Sequence, residues 1–83
     1  YWRDKDTGFQ VCWGSVAISG NSNVSVTFPS AFKTACTSVI SNIKHATIDN
    51  RDGWGSYYWS RTSCNLANGM RSTETHNWIA TGY

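Results

Sequence analysis

Residues 24–28 read VSVTF, and this stretch decides the fold. Val24, Val26 and Phe28 alternate with Ser25 and Thr27. That two-residue period belongs to a strand with an apolar inner face and a polar outer one. Pro29 follows at once and stops the strand, because proline has no N–H to give a ladder. Upstream, GNSN at 20–23 is a tight polar turn. FQVCW at 9–13 is a strand that Gly14 ends or bends, and SVAIS at 15–19 continues it. Phe9, Val11 and Trp13 share one face of that strand, Gln10 and Cys12 the other. The strands on either side of GNSN are expected to pair as a hairpin.

Downstream of Pro29, SAFKTA at 30–35 is expected to form one short helical turn with Ser30 as its N-cap. CTSVISNI at 36–43 is rich in β-branched residues and reads as a strand. KHATIDNRDGWG at 44–55 reads as a long polar loop, SYYWSRTSC at 56–64 as a strand and NLANG at 65–69 as a turn. MRSTE at 70–74 is ambiguous, and THNWIATGY at 75–83 reads as a C-terminal strand. No segment holds a helical apolar period. The fold class is therefore all-β, with five to seven strands in a sandwich or small barrel and almost no helix.

At 83 residues the chain is one domain, 1–83. A domain this small buries only roughly two thirds of the surface of its unfolded chain. Scaffolds below about 80 residues usually need a disulfide, a metal or a partner chain. The three cysteines, Cys12, Cys36 and Cys64, are widely spaced, and an odd number cannot all pair within the chain. They read as free buried thiols, which fits a reducing compartment; one disulfide plus a spare thiol is the other arrangement. A zinc site using them with His45 and His76 lacks ligand-pair spacing, and no cofactor is expected. Oligomerisation is then the favoured support. The net charge of +2 is spread along the chain without a basic run, so nucleic acid is not an expected partner. No apolar stretch approaches the roughly 20 residues of a membrane span, and YWRDKDTG at 1–8 is not a signal-peptide pattern.

Five Trp, four Tyr and three Phe make up 14% of the chain, as much as all its charged residues. DNRDGWGSYYWSR at 49–61 sets Trp54, Tyr57, Tyr58 and Trp59 among acids, an Asn and two Arg. In one continuous strand Tyr57, Trp59 and Arg61 point one way and Tyr58, Ser60 and Thr62 the other. Both faces cannot be the core of one small sandwich. Two readings follow: ordinary packing for any single ring, and a binding or subunit surface for the cluster. The candidate receptor or glycan contacts are Asp49, Asn50, Arg51, Asp52, Trp54, Tyr57, Trp59 and Arg61. Sugar rings lay apolar C–H faces on Trp or Tyr, and their hydroxyls suit carboxylate, Asn and Arg partners. A protein hot spot uses the same Trp, Tyr and Arg.

Catalysis is not expected. Glycoside hydrolysis needs two placed carboxylates. Asp4, Asp6, Asp49 and Asp52 read as turn formers, which leaves Glu74. No nucleophile elbow or phosphate-binding loop is present; a Cys–His nucleophile pair is the weaker enzymatic alternative.

Three blocks resemble the C-terminal domains of bacteriophage tail fibres, of the kind found in Mu-like fibre tips. YWRDKDTGFQVCWG at 1–14 is similar to their opening, VSVTFPSAFKTACTSV at 24–39 to their strand, Phe-Pro and strand segment, and HNWIATGY at 76–83 to their ending. The blocks fall in the family's order; residues 43–75 match no part of it. The resemblance implies a small antiparallel β-sandwich, intertwined or closely packed as a homotrimer, at the distal tip of a longer fibre chain. It implies a virion protein made in the host bacterial cytoplasm. Its partners would be the rest of the tail fibre, a fibre-assembly chaperone, and host lipopolysaccharide or an outer-membrane receptor. Trp13, Gly14, Phe28, Pro29, Phe32, Trp78, Gly82 and Tyr83 carry over as fold and trimer residues; Cys12 and Cys36 depart from the pattern. Lipopolysaccharide glycan is the expected ligand. An outer-membrane protein receptor, a ligand-free trimerisation cap and a cellular lectin are the alternatives.

Overall fold

The structure is a computed structural model and describes residues 1–43 and 53–83. It contains seven strands: β1 (Trp2–Arg3), β2 (Gln10–Ile18), β3 (Ser22–Thr27), β4 (Cys36–Ile43), β5 (Trp54–Tyr57), β6 (Ser63–Asn68) and β7 (Glu74–Gly82). They form two antiparallel sheets, one ordered β1-β2-β7-β4 and the other β3-β6-β5. The all-β sandwich expected from the strand periods is the observed architecture, with no helix among the described residues.

The alternation in VSVTF places its residues as expected. Val24 and Val26 are half-buried, Phe28 is buried, and Ser25 and Thr27 are exposed. On β7 the inner face carries Glu74, His76, Trp78 and Ala80, all buried. The inward set of β2 includes Gln10, Cys12 and Ile18. Phe32 lies edge-on to Phe28 at 5.3 Å, and Phe28 meets Trp78 at 5.8 Å. Such aromatic pairs add about 0.5–1.5 kcal/mol each beyond the area they bury. Gly14 faces Trp78 across the β2–β7 register, and a methyl group there would lie 2.8 Å from the indole. Cys12 and Cys64 are buried free thiols and Cys36 is a half-buried one. Burial raises the Cys36 thiol and pushes Cys64 up to about 11, so both stay protonated at neutral pH.

Several local expectations are corrected. The strands flanking GNSN do not pair: β2 and β3 belong to different sheets. Asn21 turns the chain across at φ 52, and its N–H donates to the Met70 carbonyl at 2.8 Å. Residues 30–35 make bends instead of a helical turn. They are held because the Gln10 amide donates to Ser30 O at 2.7 Å and Arg3 Nη2 donates to Ala31 O at 3.1 Å. NLANG is not a turn; its first four residues complete β6, and the chain reverses after Gly69. Asn68 looked like a turn former but is buried, donating its amide to Ile18 O at 2.9 Å and Ser72 O at 3.1 Å. The loop expected at 44–55 gives way by Trp54, where β5 begins; residues 44–52 of it lie outside the described part.

Candidate functional site

SYYWSRTSC is not one strand. β5 ends at Tyr57, and β6 begins at Ser63. Tyr58 breaks the strand by adopting φ 51. The expected alternation of Tyr57, Trp59 and Arg61 against Tyr58, Ser60 and Thr62 is thereby replaced by a hairpin loop at 58–62. Ser60 builds the loop's interior: its N–H donates to Ser63 O at 2.8 Å, and its hydroxyl accepts from the N–H groups of Thr62 and Ser63. Serine competes well for backbone partners in this way, which is why it favours turns over strands.

The aromatics are fixed from below. Trp59 Nε1 donates to the Ser56 hydroxyl at 3.0 Å, and that hydroxyl donates to Val39 O at 2.8 Å on the other sheet. Trp54 Nε1 donates to Ser41 O at 3.3 Å. β5 is thus tied through two side chains to β4, and half-buried Trp54 serves that junction. Tyr57 and Tyr58 pack ring to ring at 5.4 Å. Arg61 Nε donates to Phe32 O at 3.0 Å, while Phe32 N–H donates to Arg61 O at 2.8 Å. The guanidinium is anchored next to the buried Phe32, and Arg61 remains exposed.

Of the predicted contacts, Tyr57, Trp59 and Arg61 come together on this hairpin, with Trp54 at its base. Asp49, Asn50, Arg51 and Asp52 lie outside the described residues. The list of candidate contacts left out Tyr58, a member of the aromatic cluster that is 82% exposed and the most open aromatic of the described chain. Its signal was its place in the aromatic run; assigning the run to a strand put it on the wrong face. A bulky residue at positive φ costs about 1–2 kcal/mol, and strain of this kind persists where the surroundings over-determine it, often at functional sites.

Asp4 and Glu74 have local structural roles. Asp4 accepts from the Thr7 hydroxyl at 2.8 Å and from Asp6 N–H at 3.1 Å. These bonds hold its carboxyl below the usual 3.8. Glu74 is buried and accepts from Ser72 Oγ at 2.8 Å. Among the described residues no three His, Cys, Asp or Glu side chains cluster as a metal site would need.

The hairpin and the two sheets define a chain whose relatives are found by both sequence and shape. The family model for tail fiber protein gp53-like, C-terminal, matches residues 3–83. The chain belongs to that family. As a tail-fibre C-terminal domain, it is a component of a virion or phage-like particle. It superposes on the C-terminal fibre region of the R2 pyocin of P. aeruginosa with a TM-score of 0.89 and 30% identity, covering 99% of this chain and 23% of that one. An N-truncated R2-type pyocin tail fibre gives the same score and identity, covering 99% of this chain and 33% of its own. An N-truncated R1-type fibre gives 0.76 at 26% identity, covering 99% of this chain and 77% of its own. The domain thus spans a quarter to a third of the R2 fibre chains it matches. No curated protein sequence matches significantly.

Proposed function

We propose that this tail-fibre domain is the receptor-binding tip of a homotrimeric fibre and binds lipopolysaccharide glycan on a Gram-negative host. The observation that carries this reading is Tyr58. The chain keeps a large ring at φ 51 and 82% exposed, where Gly or Asn would relax the backbone. The ring packs on Tyr57, and Tyr58 shares with Trp59 and Arg61 a loop pinned by Ser60. A pre-ordered aromatic surface loses little freedom on binding. Its rings suit the C–H faces of sugars, and Arg61 offers donors to hydroxyls or phosphates. Asn50, Arg51 and the acids Asp49 and Asp52, just before β5 in sequence, supply further donors and acceptors. Three copies of a weak site gain avidity on a surface dense in one glycan. The reading is binding without turnover, since Asp4 and Glu74 are engaged in structural bonds.

The deciding experiment titrates the purified protein against lipopolysaccharides that differ in core and O-antigen. Saturable binding to a few members, lost in Trp59→Ala and Arg51→Ala proteins that fold normally, is the expected result. A folded trimer that binds no member, yet adsorbs to host cells until they are treated with protease, would assign the receptor to an outer-membrane protein instead.

A further inference from the structure

The outer face of the four-stranded sheet is uncharged and carries large exposed apolar side chains where a solvated face would carry charge. The register sets Trp13, Ile79 and Ile40 side by side across β2, β7 and β4. The next row holds Trp2, Val11, Thr81 and Ser38 across all four strands. On the other side the row is Ser15, Asn77 and Asn42, with the Ser15 hydroxyl donating to Asn77 Oδ1 at 2.5 Å. None of these positions is charged. Trp2 and Trp13 are each 54% exposed, Ile40 62% and Ile79 43%. The same sheet buries its opposite face in the sandwich core. A sheet with large apolar side chains on both faces is ordinarily covered on both.

We infer that this face packs against other copies of the same chain, with the Trp13–Ile79–Ile40 row at the centre of the contact. The inference rests on the homotrimeric reading above and says which surface makes the assembly. Area supports it. A large side chain carries about 150–250 Å², so four of them half-open leave on the order of 400 Å² of apolar surface. A standard interface takes roughly 800 Å² per partner, of which a little over half is apolar. Charge supports it as well. Each copy carries +2, so like copies meet at least cost on a neutral face, where no charge is desolvated or set against its own image. The 58–62 hairpin belongs to the other sheet and is left free for a receptor. A glycan is the less suitable occupant, because this face lacks the charged donors and acceptors that the hairpin concentrates.

The test uses the protein at its full native length in a Cys36→Ser background, with Trp13→Cys, Ile79→Cys or Ile40→Cys introduced singly. Ser25→Cys, on the exposed side of the three-stranded sheet, is the reference. Ile40 is open in the single chain, so a cysteine there folds and reacts as fast as the reference unless another copy covers it. The expected result is maleimide labelling at least ten-fold slower at position 40 than at 25. A short bis-maleimide should also yield covalent dimers from at least one of the three positions and none from position 25. Equal labelling rates in a protein that sediments as a trimer would overturn the face assignment. So would slow labelling without any covalent dimer. Sedimentation as a monomer would overturn the trimeric reading with it. Cross-linked protein that binds no lipopolysaccharide would leave this face in place and remove only the receptor reading.

Discussion

Asn68 Nδ2 lies 2.9 Å from the carbonyl oxygen of Ile18, so a side chain of one sheet holds the end of a strand in the other. The same amide reaches Ser19 O at 3.2 Å and Ser72 O at 3.1 Å, and Asn68 Oδ1 accepts from Met70 N–H at 3.1 Å. Both chain crossings at this end, from β2 to β3 and from β6 to β7, therefore share one buried amide. Asn68→Ala should cost about 2–3 kcal/mol, because it strips buried backbone groups of partners that water cannot replace. For a domain of this size that lowers Tm by roughly 10 °C or more. Asn68→Asp keeps the bond to Met70 but loses the donors, and should be no more stable than Asn68→Ala. Thermal melts of the three proteins check this.

Gly14 is required by the indole above it. Gly14→Ala puts a methyl group 2.8 Å from Trp78 Cζ2, and the wide flat side chain of a packed core cannot swing away. The expected loss is about 1–3 kcal/mol in urea unfolding. Combining it with Trp78→Phe, whose smaller ring relieves the clash, should cost less than the sum of the single changes.

Acid should weaken the domain through His76. Its ring is fully buried between Val16 and Ile43, and among the described residues neither ring nitrogen has a hydrogen-bond partner. Burial lowers its pKa below the usual 6.5, with the Glu74 carboxylate opposing this in part. The unfolded chain then binds the proton more readily than the folded one. Stability present above the unfolded value of 6.5 is lost as pH falls below it, until the lowered folded pKa is reached. His76→Leu should flatten the dependence of unfolding free energy on pH in that window. An unchanged slope would show that another group carries it.

Tyr58 separates stability from binding. Tyr58→Gly relaxes a left-handed backbone position, and should leave stability unchanged or raise it by about 1 kcal/mol. The same substitution should weaken lipopolysaccharide binding about ten-fold, in line with the loss of an aromatic contact of 1–2 kcal/mol at each site. Paired denaturant curves and binding isotherms test the two halves together. Loss of both stability and binding would make Tyr58 a structural residue.

The cysteines should react in order of burial. Cys64 is held up to about 11 in the folded chain, so almost no thiolate is available at pH 8. Half-buried Cys36 should be alkylated before Cys12 and Cys64, and all three should react quickly in denaturant. Peptide mapping after a short iodoacetamide pulse gives the order.

How much of this was legible in the residues differs from one element to the next. β3, β4 and β7 stood out, because strict alternation or a dense β-branched run leaves few other conformations that bury their apolar side chains. The 56–64 stretch did not. Its aromatics and threonine favour a strand as a composition, but Tyr58 turns left-handed and Ser60 gathers the backbone N–H groups, and neither event has a pattern in sequence. NLANG failed for the opposite reason. Asn, Ala and Gly spell a turn locally, yet the buried carbonyls of Ile18 and Ser72 supply Asn68 with partners it could not find within its own segment.

By itself, then, the sequence determined the strand class, the inward face of VSVTF, the existence of the C-terminal strand, the aromatic cluster and the likeness to tail-fibre ends. These are written in local period and composition. Only the tertiary structure decided that β2 and β3 lie in different sheets, that Trp54 bridges to Ser41 while Tyr58 stands exposed, and that Trp13, Ile79 and Ile40 share an uncharged face. The physical reason is separation along the chain: these depend on which distant strand supplies the partner, and no local run of residues encodes that.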